Sequence, residues 1–352
     1  NYGFPPEHFS GNNAHISPHT DITDQSFGLF ASSEYVFSEQ SKITTGIRFS
    51  HEYKDLEFSQ VGIPEIFYPN IPYDEFGYPI DSVLKKDYNG TAISPLFSYQ
   101  YKIDDRINSY YTLSRGFKSG GFNTDFVATQ DAVALPFDPE FVTNYEVGLK
   151  IEDPQNSLRM NLSSFYMDYR DMQVSVYRLN AGFRIMNAAS ASIRGFEMEL
   201  NWNPAHDLMI AANFGYASGH FDDYSYVNQE GTRIDLSGEK ISSTPENTFG
   251  LFFDYSHDLA ENITGYMNME FDYRTSYKNL VTETSPFYKN EARTLINLDL
   301  GFDYNAFRVV LWTKNLLDAD YTTAKTRDLT LGLKREIHGA PRTMGIRLSY
   351  NY

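Results

Sequence analysis

Four carboxylates have the type, though not the proven placement, of acid/base or ligating groups: Glu197, Glu199, Glu270 and Asp299. A sugar-cleaving pair needs two carboxylates at a set separation, one of them in surroundings that raise its pKa. Spacing along a chain cannot supply that. A hydrolase reading needs a histidine held beside a serine. Ser50 and His51 are adjacent, so in a strand they point to opposite faces. Ser218 and His220 would share a face if their strand runs that far, but Gly219 and the nearby loop weaken that geometry, and no third group can be assigned. His8, His15 and His19 gather near the start among Gly, Asn, Pro and Ser. That setting reads as solvated loop rather than a metal site, which wants a helix face or a fixed turn. In SRGFKSGGF (114–122), Arg115 and Lys118 stand beside Gly116, Gly120 and Gly121. No Gly-Lys-Ser/Thr follows, so this is not a phosphate loop.

The elements that must carry these residues are strands. Leu298, Leu300, Phe302 and Tyr304 alternate with Asn297, Asp299, Gly301 and Asp303. Met267, Met269, Phe271 and Tyr273 alternate with Asn268, Glu270, Asp272 and Arg274. Phe196, Met198, Leu200 and Trp202 alternate with Glu197, Glu199 and Asn201. The period is two, not 3.6. The apolar face is continuous and the opposite face is richly charged, which puts all four carboxylates on the polar side. About thirteen such segments can be counted along the chain, near 24–37, 42–58, 92–102, 108–117, 141–152, 157–178, 183–202, 207–220, 247–256, 262–275, 293–304, 307–318 and 342–352.

The connections are of two kinds. Short polar turns at 38–41, 104–106, 153–156, 203–207, 256–258 and 303–306 carry the Asp, Asn, Pro and Ser of turn chemistry. Long irregular loops are expected at 59–91, 118–138, 221–243, 275–291 and 322–341, with 180–182 short where a long loop is due. Short turns on one rim and long loops on the other describe an up-and-down antiparallel barrel. A kelch-type propeller would pack four short strands into each repeat, not two long ones.

Composition agrees. Aromatics reach 16%, with 27 Tyr and 27 Phe against 2 Trp, in a chain only 41% hydrophobic. That excess is foreign to disordered chains and suits the aromatic girdles of membrane barrels. No stretch approaches the length of a transmembrane helix. With no cysteine there is no disulfide or thiolate metal site, and a net charge of −17 argues against nucleic acid. The chain ends GAPRTMGIRLSYNY (339–352), an alternating strand closed by an aromatic residue. A closed membrane barrel explains such an end, because its last strand has no free edge.

Several stretches together resemble the barrel of TonB-dependent outer-membrane receptors: SRGFKSGGFN (114–123), PEFVTNYEVGLK (139–150), NAASASIRGFEMEL (187–200), TPENTFG (244–250), NLLDADY (315–321) and the terminal strand. The resemblance implies an all-β antiparallel transmembrane barrel of the siderophore-receptor type. It implies a 22-stranded whole with a plugged lumen, of which 1–352 is a C-terminal portion: 1–20 an outer loop, 21–352 strands, long outer loops and short periplasmic turns. The resemblance further implies that the plug, the first strands and the TonB box lie outside these residues, in the same or a separate chain.

The implied activity is outer-membrane uptake of a scarce ligand, foremost a ferric siderophore, with energy delivered through the TonB-ExbB-ExbD complex acting on the plug. Haem, cobalamin, a glycan, or a passive porin or adhesin-like barrel are the alternatives. No enzyme activity, cofactor or resident metal is expected, and lipid and lipopolysaccharide are the surrounding partners. For ligand contact the candidates are Tyr68, Tyr73, Phe76 and Tyr78 in the Pro-rich loop PEIFYPNIPYDEFGYPI, with Arg115 and Lys118. The rings offer flat amphipathic surface, and the cations would form charge-assisted bonds to an anionic chelate. Against this stands a loop packed on its neighbours, and cations at a strand end near the interface.

Overall fold

The computed structural model describes residues 17–61, 84–124, 136–178, 182–227, 232–279, 286–327 and 333–350. Its strands are β1 (Ser17–Val36), β2 (Ser41–Val61), β3 (Leu84–Lys102), β4 (Ile107–Lys118), β5 (Glu140–Asp153), β6 (Leu158–Arg178), β7 (Gly182–Ala205), β8 (Leu208–Val227), β9 (Arg233–Asp235), β10 (Asn247–Ala260), β11 (Ile263–Arg274), β12 (Tyr277–Lys278), β13 (Lys289–Asn290), β14 (Arg293–Tyr304), β15 (Phe307–Lys314), β16 (Thr322–Arg327), β17 (Lys334–His338) and β18 (Thr343–Tyr350). Thirteen of them, β1–β8, β10, β11, β14, β15 and β18, form one sheet in chain order, each antiparallel to the next. These are the thirteen alternating segments of the sequence.

Residues facing each other across an antiparallel ladder share a face, so the register tests the alternation directly. One row of opposed residues runs Leu158, Trp202, Ile210, Phe253, Met269, Leu298, Thr313, Met344. All but Thr313 are apolar. The neighbouring row includes Asn201, Ala211, Phe252, Glu270 and Asn297, and Asn268 faces Asp299. Glu197 faces Gly215, Glu199 faces Asn213, and both lie on that same polar side. The apolar row starts at the first residue of β6, beside a short turn, and ends near the start of β18, beside a long loop. A row perpendicular to the strands thus climbs from one rim to the other, which is the stagger that tilted barrel strands require.

Among the described residues nothing covers the apolar face. Leu348 is 73% exposed, and Leu29, Ile47, Leu300, Leu311, Met344 and Ile346 are exposed with it. An apolar surface running across thirteen strands far exceeds what water tolerates on a soluble protein.

The short turns close tightly. Asn305 sits at φ 52° between β14 and β15. Asp153 accepts from Asn156 N at 3.4 Å over a 3-10 turn, Pro154–Asn156. The long connections differ from the sequence expectation. β1 begins at Ser17, inside the stretch assigned to an outer loop, and β3 begins at Leu84, well before 92. The loop at 322–341 contains the β16–β17 hairpin, that at 275–291 contains β12, β13 and a 3-10 turn (Pro286–Tyr288), and that at 221–243 contains the end of β8 and β9. Strands that outrun the lipid lose their apolar–polar contrast, so alternation could not mark their ends.

Candidate functional site

At the long-loop rim, connecting segments fold over the polar face. The first follows β4. Gly121 exchanges two backbone hydrogen bonds with Phe137 (3.0 and 2.8 Å). Lys54 Nζ donates to Gly120 O at 2.9 Å and lies 3.5 Å from Glu52 and 3.6 Å from Asp24; Ser119 Oγ donates to Glu52. Phe122 inserts beside Tyr88, Leu56 and Phe58, all buried. Further along, Gln173 Nε2 donates to Ser119 O (2.8 Å), and Asn123 pairs with the backbone of Ile185 (2.6 and 3.1 Å). This strap therefore crosses from β2–β3 to β6–β7. Gly120 is obligatory here: a Cβ would lie 2.3 Å from Phe137 O and 2.5 Å from the Tyr88 hydroxyl.

A second segment, 236–241, pairs along the edge of β8 beyond the start of β10 and packs its side chains onto β7. Leu236 N, Gly238 N and Ile241 N donate to Tyr224 O, Phe221 O and Gly219 O at 2.8, 2.7 and 3.0 Å. Beneath it Ala189, Ala191, Phe221, Tyr224 and Leu236 form a buried cluster. Glu246 anchors the segment, taking Lys240 Nζ at 2.8 Å and Ser218 Oγ at 3.4 Å. Lys240 above all holds the Glu246 carboxyl below its ordinary pKa, with Ser218 and His220 adding to the effect.

A third assembly joins β12, β13 and the β16–β17 hairpin. Asn290 is fully buried, accepts from Thr322 Oγ1 at 2.8 Å and contacts Asn279. Asn279 Nδ2 donates to Lys325 O at 2.9 Å, and its N–H to Tyr288 O at 2.8 Å. Against this assembly sit Arg274 and Arg293, which sequence reasoning did not single out.

The two described candidates, Arg115 and Lys118, lie on opposite faces of β4. Arg115 lies on the apolar side of β4, with its guanidinium 4.3 Å from the Phe141 ring centre. Lys118 lies on the polar side, opposite Glu140. Tyr68, Tyr73, Phe76 and Tyr78 fall outside the described residues, as do His8 and His15; His19 lies on β1 opposite Ser59. Glu199 accepts from Asn161 (3.2 Å), and Glu270 from Asn297 (2.8 Å) and Lys314 (3.5 Å). These carboxylates are separately partnered along the polar face. The Ser218 hydroxyl donates to the Glu246 carboxylate rather than to the His220 imidazole.

The motif residues do structural work. Asn187 Nδ2 donates to Asp138 O (2.8 Å) and Asp171 O (2.7 Å), while its Oδ1 accepts from Asp138 N (2.7 Å). Glu146 accepts from Tyr110 (2.7 Å) and Asn144 (3.3 Å). Asn315, at φ 51°, bonds Asn297 Oδ1, both backbone groups of Ala319 and Ala340 O.

A large antiparallel sheet, apolar on one side and charged on the other, with short turns at one rim and in-folded loops at the other, defines the wall of a transmembrane β-barrel of the outer-membrane type. The chain belongs to the TonB-dependent receptor family: residues 1–333 match the family described as TonB dependent receptor-like, beta-barrel. Its barrels lie in the outer membrane, and its members are receptors and transporters rather than enzymes. The fold is similar to that of the ferric yersiniabactin uptake receptor FyuA from Yersinia pestis (TM-score 0.76, 17% identity, covering 96% of this chain and 47% of that one). It is similar also to the siderophore receptor PiuA from Acinetobacter baumannii (0.71, 14%, 95% and 44%). A third is the ferric-catecholate import receptor Fiu from E. coli K12 in its closed form (0.67, 16%, 95% and 45%). At these identities the likeness is one of fold. The chain spans less than half the length of each.

Proposed function

We propose that this chain is the ligand-facing wall of a receptor that takes up a ferric siderophore across the outer membrane, driven through TonB. The observation that carries the reading is the treatment of the polar face. At the outer rim the strap is tied across the polar face from β2 to β7 by side-chain hydrogen bonds, and both it and segment 236–241 pack inward through buried clusters. A passive pore needs an unobstructed lumen; a receptor needs a rigid rim above its plug. The likeness in fold to three siderophore receptors supports the choice of ligand.

In this reading the plug and the remaining strands complete the barrel, from the same chain or another, and the TonB-ExbB-ExbD complex acts through the plug. Tyr68, Tyr73, Phe76 and Tyr78 contribute aromatic contacts from the outer loop, and Lys118 approaches the lumen. Arg115 faces the other way and suits the phosphates of lipopolysaccharide instead. The test is equilibrium binding of a panel of ferric chelates, haem and cobalamin to the purified intact receptor. Saturable binding of one class of ferric chelate is expected. Saturable binding of haem or cobalamin alone would move the ligand class, and solute-permeable liposomes with no binding at all would favour a porin.

A further inference from the structure

The strand register places Arg274, the last residue of β11, directly opposite Arg293, the first of β14. Both continue the polar face of Asn268, Glu270 and Asp272. Like charges facing each other across a ladder are destabilising, and the described surroundings do little to relieve them. Arg293 Nη2 donates to Asp272 at 3.0 Å. Arg274 has no carboxylate partner among the described residues; its Nη2 reaches only Thr322 O, at 3.4 Å. The Nε of each is buried and unpartnered. Buried donors are nearly always satisfied, so two orphans in one cluster call for an explanation.

The guanidiniums are nevertheless held in place. Arg274 lies 5.1 Å from the Tyr277 ring centre, and Arg293 lies 5.0 Å from that of Tyr321. Thr322, which receives Arg274, is itself fixed by the fully buried Asn290. The Nη1 ends have no protein partner among the described residues. Two preoriented cations, with one carboxylate paired to Arg293 alone, leave a local positive surplus in a chain whose net charge is −17.

We propose that Arg274 and Arg293 form an anion-binding site on the lumen wall, which takes the carboxylate or catecholate oxygens of a negatively charged ferric chelate. Arginine suits this role because its planar donors match paired oxygens and stay charged at every working pH. An anion at the outer Nη groups of the two guanidiniums cancels their repulsion. The choice of a ferric chelate rests on the uptake reading above; the anion site itself does not.

The test uses the intact receptor and its Arg274→Gln, Arg293→Gln and doubly substituted forms, with folding checked by the heat-dependent gel mobility of the barrel. The probes are ferric citrate, a ferric dihydroxybenzoate complex, an uncharged ferric trihydroxamate, and the iron-free citrate and dihydroxybenzoate. Each single substitution is expected to weaken the anionic chelates by about tenfold to a hundredfold, as for lost charge-assisted bonds, and to flatten the salt dependence. Whatever affinity the uncharged chelate has is expected to be unchanged. Equal affinity of the wild type and the double variant for an anionic chelate overturns the site but leaves the uptake reading standing. Binding of iron-free anions alone, lost in the double variant, keeps the site and defeats the ferric reading. Binding of none of the anionic probes by the wild type overturns the inference.

Discussion

Leu298→Arg is the most exacting test of which face meets lipid. Leu298 is the sixth of the twelve residues of β14 and stands between Met269 and Thr313 on the apolar row. At about 3.3 Å per residue and a tilt of about 40°, the strand rises about 30 Å, slightly more than the apolar band of about 25 Å. Leu298 therefore lies near the bilayer midplane, where an arginine on the lipid face costs about 2–4 kcal/mol. That is a shift of about 30- to 900-fold in the folding equilibrium. Asp299→Arg, one residue on, points to the lumen and should change stability by about 0.5 kcal/mol or less. Tyr304→Arg, on the apolar face but at the short-turn rim, should cost about 0–1 kcal/mol. The assay is denaturant unfolding of the intact receptor in lipid bilayers, followed by intrinsic fluorescence. A penalty for Asp299→Arg as large as that for Leu298→Arg would refute the face assignment, since a one-residue slip inverts every side chain.

Three other perturbations probe the rim. Gly120→Ala drives a Cβ to 2.3 Å from Phe137 O; the strap should loosen at a cost of about 1–3 kcal/mol, seen as faster hydrogen exchange at Gly121 and Phe137, and unchanged exchange would contradict the crowding. Asn315→Ala removes the side-chain bonds to Ala319 and Ala340 together, so a loss of about 1–3 kcal/mol is expected from stranded backbone groups, read as a lower unfolding midpoint. Glu246 has a depressed pKa, chiefly from Lys240, so its contribution is fully present above the ordinary carboxylate pKa and is lost as the pH falls through the lowered value. Protection of the Ile241 amide should fall across that acid window, and Lys240→Met should remove the step; protection that rises on acidification would reverse the assigned sign.

The thirteen sheet strands were legible because lipid and lumen impose opposite demands on alternate residues. Leu298 to Tyr304 and Met267 to Arg274 carry that contrast in plain form. Where the demand stops, so does the signal. The β16–β17 hairpin has Lys334–His338 exposed throughout, and β12 and β13 are two residues each. The bulges around Asp171, at φ 54°, follow from pairing with β7 and leave no local mark. SRGFKSGGFN was legible as a motif but not as a strap. Its glycine needs Phe137 and Tyr88, and its asparagine needs Ile185, all far along the chain. Arg274 and Arg293 were invisible for the same reason, since only the register makes them neighbours.

The central claim, energised uptake of iron, is tested most directly by radio-iron accumulation from the ferric chelate that the receptor binds, in iron-limited cells. Cells carrying the receptor should accumulate iron, and cells lacking either the receptor or TonB should fall to the same low baseline. Accumulation that persists without TonB, or that is unchanged when the receptor is deleted, would contradict the account.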